Sequence, residues 1–447
     1  VRRAPFALAA LALVAPGWAA LGPRYGGDLT VAAVGPLPRL ATATPDSAAG
    51  RLLTSLTQAS LVGLGLDGLP VPALARSWTS AAGGREWILA LDEEARFHDE
   101  VKVTAADAVR SLQTFLARAS PSARALAARL AADGVAAPDS GHVVLRLREP
   151  FAAPLAPLAG AWITGLAGAE AGPFIPTYEA PGSRVALTAF ASHVRGRPYF
   201  DRVAVVASAD EEHLRAGLAT RESDVALNAP GVSALAGTLL LVLDPRQPVL
   251  ADREARAAIV SALDVDAIVK RFLPGGVATR SLLPLAVAPS SGPAAPSTRP
   301  VSGVLALAVS SEVPALVSQR VVAHLDALGL HVTVRVLDPA AARCSDAAGR
   351  LIVFVPEVPE PTLTLRELAL LAPQVAGAEE ALAEAEREAS GQQRRAALEK
   401  AAAALLQDKT LVPLAAVPLS AGVRPGIEGV RIDAGGRVVL EDAWAVP

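Results

Sequence analysis

Sulfur is nearly missing from this 447-residue chain, which has no methionine and a single cysteine, Cys344. One thiol cannot close an internal disulfide, so a folded state must rest on packing alone. Cys344 itself reads as an inert residue near a strand. Lysine is confined to Lys102, Lys270, Lys400 and Lys409, leaving the positive charge to arginine. A net charge of −3 lacks the basic excess of a nucleic-acid binder. Aromatic residues make up only 4 % of the chain, so any pocket has few flat surfaces for stacking. The motifs Gly-x-Ser-x-Gly and Gly-Lys-Ser/Thr are absent, which removes a nucleophile elbow and a phosphate loop. His98, His142, His193, His213, His324 and His331 include no one-turn helical pair with a third ligand nearby. No metal and no cofactor is therefore expected.

What is present is apolar. Hydrophobic residues form 52 % of the chain, enough to exclude a disordered protein. The length allows roughly three domains' worth of core. At the N-terminus, Arg2 and Arg3 precede an apolar run over 6–15, then Pro16-Gly17-Trp18-Ala19-Ala20. A basic segment, a short apolar segment and small residues before a cut near Ala19 read as a signal peptide over 1–20. The run is too short to span a bilayer. The arginine pair is a poor twin-arginine motif, which favours general secretion.

The most informative stretch is 61–112. Ala75-Arg76-Ser77-Trp78 and the apolar run over 87–91 flank the turn Ala82-Gly83-Gly84, which predicts a hairpin. Thr104, three residues before Asp107, predicts a capped helix start. That helix would bury Ala108, Leu112 and Phe115. Gly63-x-Gly65-x-x-Gly68 has the form of a dinucleotide fingerprint, but Pro70 and Pro72 follow where a helix N-terminus would have to begin. His98-Asp99 reads as a polar turn.

The order of these pieces resembles the bacterial extracellular solute-binding proteins of peptide- and nickel-type ABC importers (family 5, which includes the oligopeptide and dipeptide receptors). The matching residues are Leu61, Val62, Asp67, Gly68, Pro72, Leu74, Ala75, Ser77, Trp78, Trp87, Phe97, His98, Asp99, Val103, Thr104, Ala105, Asp107 and Val109. Glu100 replaces the family's glycine. A second block, Asp252 to Ile259 followed by Ala262-Leu263-Asp264, resembles the family's Asp-x-Arg-Val-Arg-x-Ala-Ile pattern. Pro181-Gly182 to Leu187 and Arg197-Pro198 to Val203 resemble two further segments.

The resemblance implies a two-lobed α/β fold of the type II periplasmic-binding-protein kind (cluster C-like), with a subdomain inserted in lobe I. Its expected division is 21–50, 161–243 and 415–447 for lobe I, 51–160 for the inserted subdomain and 244–414 for lobe II. The chain would cross between lobes near Leu243 and near Ala415. The residues themselves agree with an α/β reading. They predict strands over 26–34, 142–147, 239–243, 304–309, 331–337 and 350–355. Helices are predicted over 122–132, from 214 up to Asp224-Val225, and over 315–328, with two more in 377–407 split near Ser390-Gly391. A Pro/Ser/Ala-rich loop is predicted over 287–300.

The segment after the strand over 350–355 reads Pro356-Glu357-Val358-Pro359-Glu360-Pro361-Thr362. Ligands of open α/β sheets bind beyond the carboxyl ends of strands. In the oligopeptide receptors the same place reads Trp, two residues, Asp, then a Glu-Pro-Thr end. The resemblance puts Glu357 at the acid that pairs with a ligand α-amino group, and Phe354 at the tryptophan. Val358 replaces an aromatic. Gly35 and Leu37 fall where the first strand leads to the cleft, and their backbone is expected to bond an extended ligand. The implied protein is a monomeric periplasmic binder, not an enzyme. It would capture a peptide or other amine-bearing solute and deliver it to an ABC permease. With no cysteine after the apolar leader, lipid anchoring is not expected. A degenerate member acting as sensor or scaffold is the alternative, and an extracytoplasmic hydrolase would need a catalytic set that the sequence does not display.

Overall fold

Alternation along β1 (Asp28–Val34) turns Leu29, Val31 and Ala33 to one face, and α1 (Ala48–Thr57) covers that face with Leu52, Leu53 and Leu56. This pair opens lobe I in a computed structural model that describes residues 22–43, 45–65, 68–118, 120–283, 301–372, 375, 377–388 and 391–446. The expected signal peptide, the expected loop over 287–300 and Asp67 lie outside the described residues.

The inserted subdomain follows. β2 (Val62–Leu64) pairs with β3 (Pro70–Pro72), so the three-glycine motif lies in a hairpin. β4 (Ala75–Ala81) and β5 (Glu86–Leu91) form the expected hairpin, and Ala82, Gly83 and Gly84 take the left-handed backbone its turn requires. α2 (Ala105–Leu116) begins on the expected reciprocal cap. The Asp107 N–H donates to Thr104 Oγ1 at 3.3 Å, and the Thr104 N–H to Asp107 Oδ2 at 3.1 Å. Ala108, Leu112 and Phe115 are buried, as the periodicity predicts. The helix expected over 122–132 is shorter: α3 (Pro121–Ala127) gives way to β6 (Leu130–Ala136), which pairs with β7 (His142–Leu147). Burying Leu130 in the subdomain core outweighs the helix propensity of an alanine-rich run, and Gly134 marks an irregularity in the ladder.

Lobe I resumes with β8 (Phe174–Ala180), β9 (Arg184–Ala189), β10 (Arg202–Ser208) and α4 (Glu211–Thr220). β11 (Val225–Leu243) then runs from one lobe into the other. It pairs with β1 at Val225 and Ala226, and from Thr238 onward with a strand of lobe II. Lobe II contains α5 (Arg253–Ala262), α6 (Val265–Phe272), β12 (Val277–Ala278), β13 (Gly303–Ser310), α7 (Ala315–Ala327) and β14 (Leu330–Leu337). It continues with α8 (Pro339–Cys344), β15 (Gly349–Phe354), α9 (Pro361–Leu371), α10 (Ala378–Arg387) and α11 (Gly391–Leu406). β16 (Leu411–Val423) returns antiparallel to β11. The ten-stranded sheet has the order β14-β13-β15-β11-β1-β10-β9-β8, with β16 on β11 and β12 on β16. β13 runs parallel to both β14 and β15.

Leu243 and Ala415, near which the chain is expected to cross, are both buried in one core cluster of lobe II. The ribbon between lobes is the middle of the β11–β16 ladder, around 228–237 and 417–421. There the two strands pair mainly with each other, and the register shifts twice. Asn228 has φ 59° at its start. α1 was expected in the subdomain from residue 51, but its apolar face belongs to lobe I's core, so the subdomain begins near Ser60.

Candidate functional site

The parallel strands of lobe II end at the cleft, and the charged side chains that meet the other half of the molecule follow those ends. Glu312 follows β13, Arg343 lies in α8 after β14, and Glu357 follows β15. Glu360 caps α9, its carboxylate accepting from the Leu363 N–H at 3.0 Å and from the Thr362 hydroxyl. That capping turn directs the chain before it toward the subdomain. Val358 and Leu363 are buried in the subdomain's own core.

Glu357 is thereby enclosed. Its carboxylate accepts from the Ser122 hydroxyl in the first turn of α3, and one oxygen would stand 3.1 Å from a Cβ at Gly160. Its backbone N–H donates to Glu367 Oε2 at 2.9 Å. Burial pushes the Glu357 carboxyl above the ordinary range, while the Ser122 hydroxyl pulls the other way. Ser120 and the charge of Arg118 also pull it down, but among the described residues no cationic side chain hydrogen-bonds this carboxylate. Glu367, in α9, is pushed up to about 7 by burial, although Arg343 lies 2.8 Å from its Oε1. Arg343 also stands 3.8 Å from Asp46 of lobe I, so the two halves face each other through opposite charges.

The other residues expected at the site make contacts within the chain. Phe354 is 1 % exposed, packed with Leu365, Leu368 and Leu382, and Arg343 lies over its ring at 5.3 Å. It is the last residue of β15, and its position in the strand turns its side chain into the core, away from the cleft. Gly35, at φ 82°, donates its N–H to Ser208 O at 2.9 Å. Leu37 is buried and donates its N–H to Gly182 O at 3.0 Å. Both amides that an extended ligand would need are engaged within lobe I. His98 sits in the expected turn, with Nε2 2.9 Å from Gly172 O. Cys344 is exposed at the end of α8, which packs against β15.

Sequence reasoning missed Ser122, Arg343, Glu367, Glu312 and Arg51. The rule that found Glu357, a polar residue just past a parallel strand, would also have found Glu312. Ser122 and Arg51 are helical residues with partners, Glu357 and Glu312, far away in sequence, and nothing local marks them or Glu367. A cavity of about 650 Å³ lies between the subdomain and α9–α10. Its charged lining includes Arg129, Arg366, Glu379 and Glu386, and neither Glu357 nor Glu367 faces it. Among the described residues no helix is long and apolar enough to cross a membrane.

The chain is similar in structure to the periplasmic binding protein DppA from Helicobacter pylori in complex with the peptide STSA. The TM-score is 0.84 at 16 % identity, covering 95 % of this chain and 99 % of that one. It is similar to NikA from Staphylococcus aureus in complex with Ni(L-His)2, with a TM-score of 0.81 at 12 % identity over 94 % and 99 %. The oligopeptide-binding protein AppA from Bacillus subtilis, in complex with a nonapeptide, gives 0.81 at 16 % identity over 95 % and 100 %. These likenesses show the fold: two lobes of the type II periplasmic-binding-protein kind. No curated protein matches the sequence. The sequence model described as "bacterial extracellular solute-binding proteins, family 5 Middle" matches residues 70–309, more than half of the chain. On this match, which the fold accompanies, the chain belongs to the bacterial extracellular solute-binding proteins, family 5.

Proposed function

We propose that the chain is the exported, periplasmic binding component of an ABC importer. It takes up a peptide or other small amine-bearing solute between its lobes and hands it to the permease as a monomer. It acts by binding and release, not by catalysis. The observation that carries this reading is Glu357: a carboxyl enclosed at the carboxyl end of a lobe II strand, raised by burial and with no cationic hydrogen-bond partner among the described residues. A solute ammonium supplies the partner that burial demands.

The test is titration calorimetry of the intact protein with trialanine and with N-acetyl-trialanine. Trialanine is expected to bind, and acetylation or Glu357→Gln to weaken binding about tenfold or more. Equal binding of both peptides would remove Glu357 from the site. One observation favours the sensor or scaffold alternative: the Gly35 and Leu37 amides and the Glu357 carboxylate already have partners within the chain. On that alternative no solute would raise the melting temperature.

A further inference from the structure

A second lobe II acid is seated on the opposite wall, and the seat holds more than the acid uses. Glu312 reaches from the end of β13 to the N-terminus of α1 in lobe I. Its Oε1 accepts from the Ala48 N–H at 3.0 Å. The same oxygen lies 3.9 Å from Arg51 Nη2. The Arg51 side chain is 4 % exposed; its Nη1 donates to Pro45 O at 3.2 Å, and its Nε has no hydrogen-bond partner. Nε and Nη2 form one fork of the guanidinium, the edge that takes a carboxylate with two parallel hydrogen bonds. Of that fork, Nη2 stands about 1 Å beyond the usual pairing distance of about 2.7–2.9 Å from the Glu312 carboxylate, and Nε is unpaired. α1 is ten residues long and has no acid in its first turn. The Ser47 hydroxyl takes the Gly50 N–H at 3.1 Å, which leaves the helix end positive at Ala48.

We propose that Arg51 and the N-terminus of α1 form a carboxylate-binding site in lobe I, and that Glu312 is its internal stand-in. The solute's carboxylate replaces Glu312 on the Ala48 N–H and closes on Arg51 Nε and Nη2 as a two-pronged pair. This rests on the reading given under Proposed function and makes the solute a zwitterion, with its ammonium at Glu357 and its carboxylate at Arg51. Competition from Glu312 lets the lobes meet without a guest and sets how strongly a guest must bind.

Acetate tests the site without reference to the amine end. With chloride matched for ionic strength, acetate is expected to raise the melting temperature of the Glu312→Gln protein by a few degrees. The native protein should respond much less. Adding Arg51→Lys should abolish the response, since lysine keeps the charge but not the fork. A Glu312→Gln protein that responds no more than the native one, or responds equally with Arg51→Lys, would overturn the site. If Arg51→Lys does not fold, trialanine and its C-terminal amide decide the matter in calorimetry. The native protein is expected to prefer the free acid about tenfold or more, and Glu312→Gln to widen the gap. Equal affinities would overturn the carboxylate site and leave the amine reading intact. Failure of every peptide to bind would overturn the amine reading, and the acetate result alone would then decide this site.

Discussion

Glu357 and Glu367 are adjacent acids in the same buried patch, and the same physics governs both. Removing a carboxylate from water favours its protonated form, so each titrates above the ordinary range, Glu367 near 7. The reference value for Glu367 in the unfolded chain is 4.5. Its contribution to stability is fully present below that value. It is lost as pH rises through the window from 4.5 to about 7, where the unfolded state releases the proton first. Urea unfolding at pH 5 and pH 8 should therefore show a loss of stability at the higher pH, and Glu367→Gln should shrink it. An unchanged difference would assign the pH dependence to other groups. Binding of an amine solute at Glu357, as proposed, has the opposite sense. The proposed ammonium contact needs Glu357 ionised, so affinity is expected to fall as the solution is acidified, beginning at a higher pH than an ordinary carboxylate would allow.

At the scale of the element, the ribbon between lobes is where small residues matter. A Cβ at Gly231 would stand 2.3 Å from Ala421 O, a backbone atom of the facing strand that cannot move aside. Gly231→Ala is expected to force the β11–β16 ladder apart and destabilise the protein by about 1–3 kcal/mol, read as a lower urea midpoint. A neutral result would mean the ribbon accommodates the change by bending, as the register shift between Leu227 and Val232 permits. The capped start of α2 and the short α3 show both sides of legibility. The reciprocal cap at Thr104 and Asp107 is local chemistry, readable three residues at a time. The end of α3 is not, because alanine-rich sequence continues past Ala127 and only pairing with β7 converts it to strand.

For the whole molecule, the inserted subdomain is fixed to lobe II as well as to lobe I. Glu386 of α10 is 2 % exposed and holds Arg366 with both oxygens and Arg129 of the subdomain at 2.6 Å. The Ala152 N–H donates to Glu386 O at 3.0 Å. Two lobes joined by a two-stranded ribbon can close by hinge motion, and this acid ties the subdomain to α10 between two arginines. Glu386→Ala leaves Arg129 its pair with Glu149 and Arg366 its pair with Glu379, and is expected to destabilise the protein by about 1–3 kcal/mol. Hydrogen exchange should rise together in α3 and α10. Faster exchange in α10 alone would show that the subdomain does not depend on this contact.

The residue order by itself determined the class of fold, the hairpin around Ala82-Gly83-Gly84, the capped helix, the parallel strands of lobe II and the position of Glu357 past one of them. These follow from period, turn chemistry and capping, which act over a few neighbouring residues. Only the tertiary structure decided that Phe354 packs inward, that the Gly35 and Leu37 amides are engaged, that α1 belongs to lobe I and that the crossing lies near 228–237. It alone brought Ser122 to Glu357 and Glu312 to Arg51. Those pairs are separated by hundreds of residues, and their energy depends on burial, which no local pattern encodes.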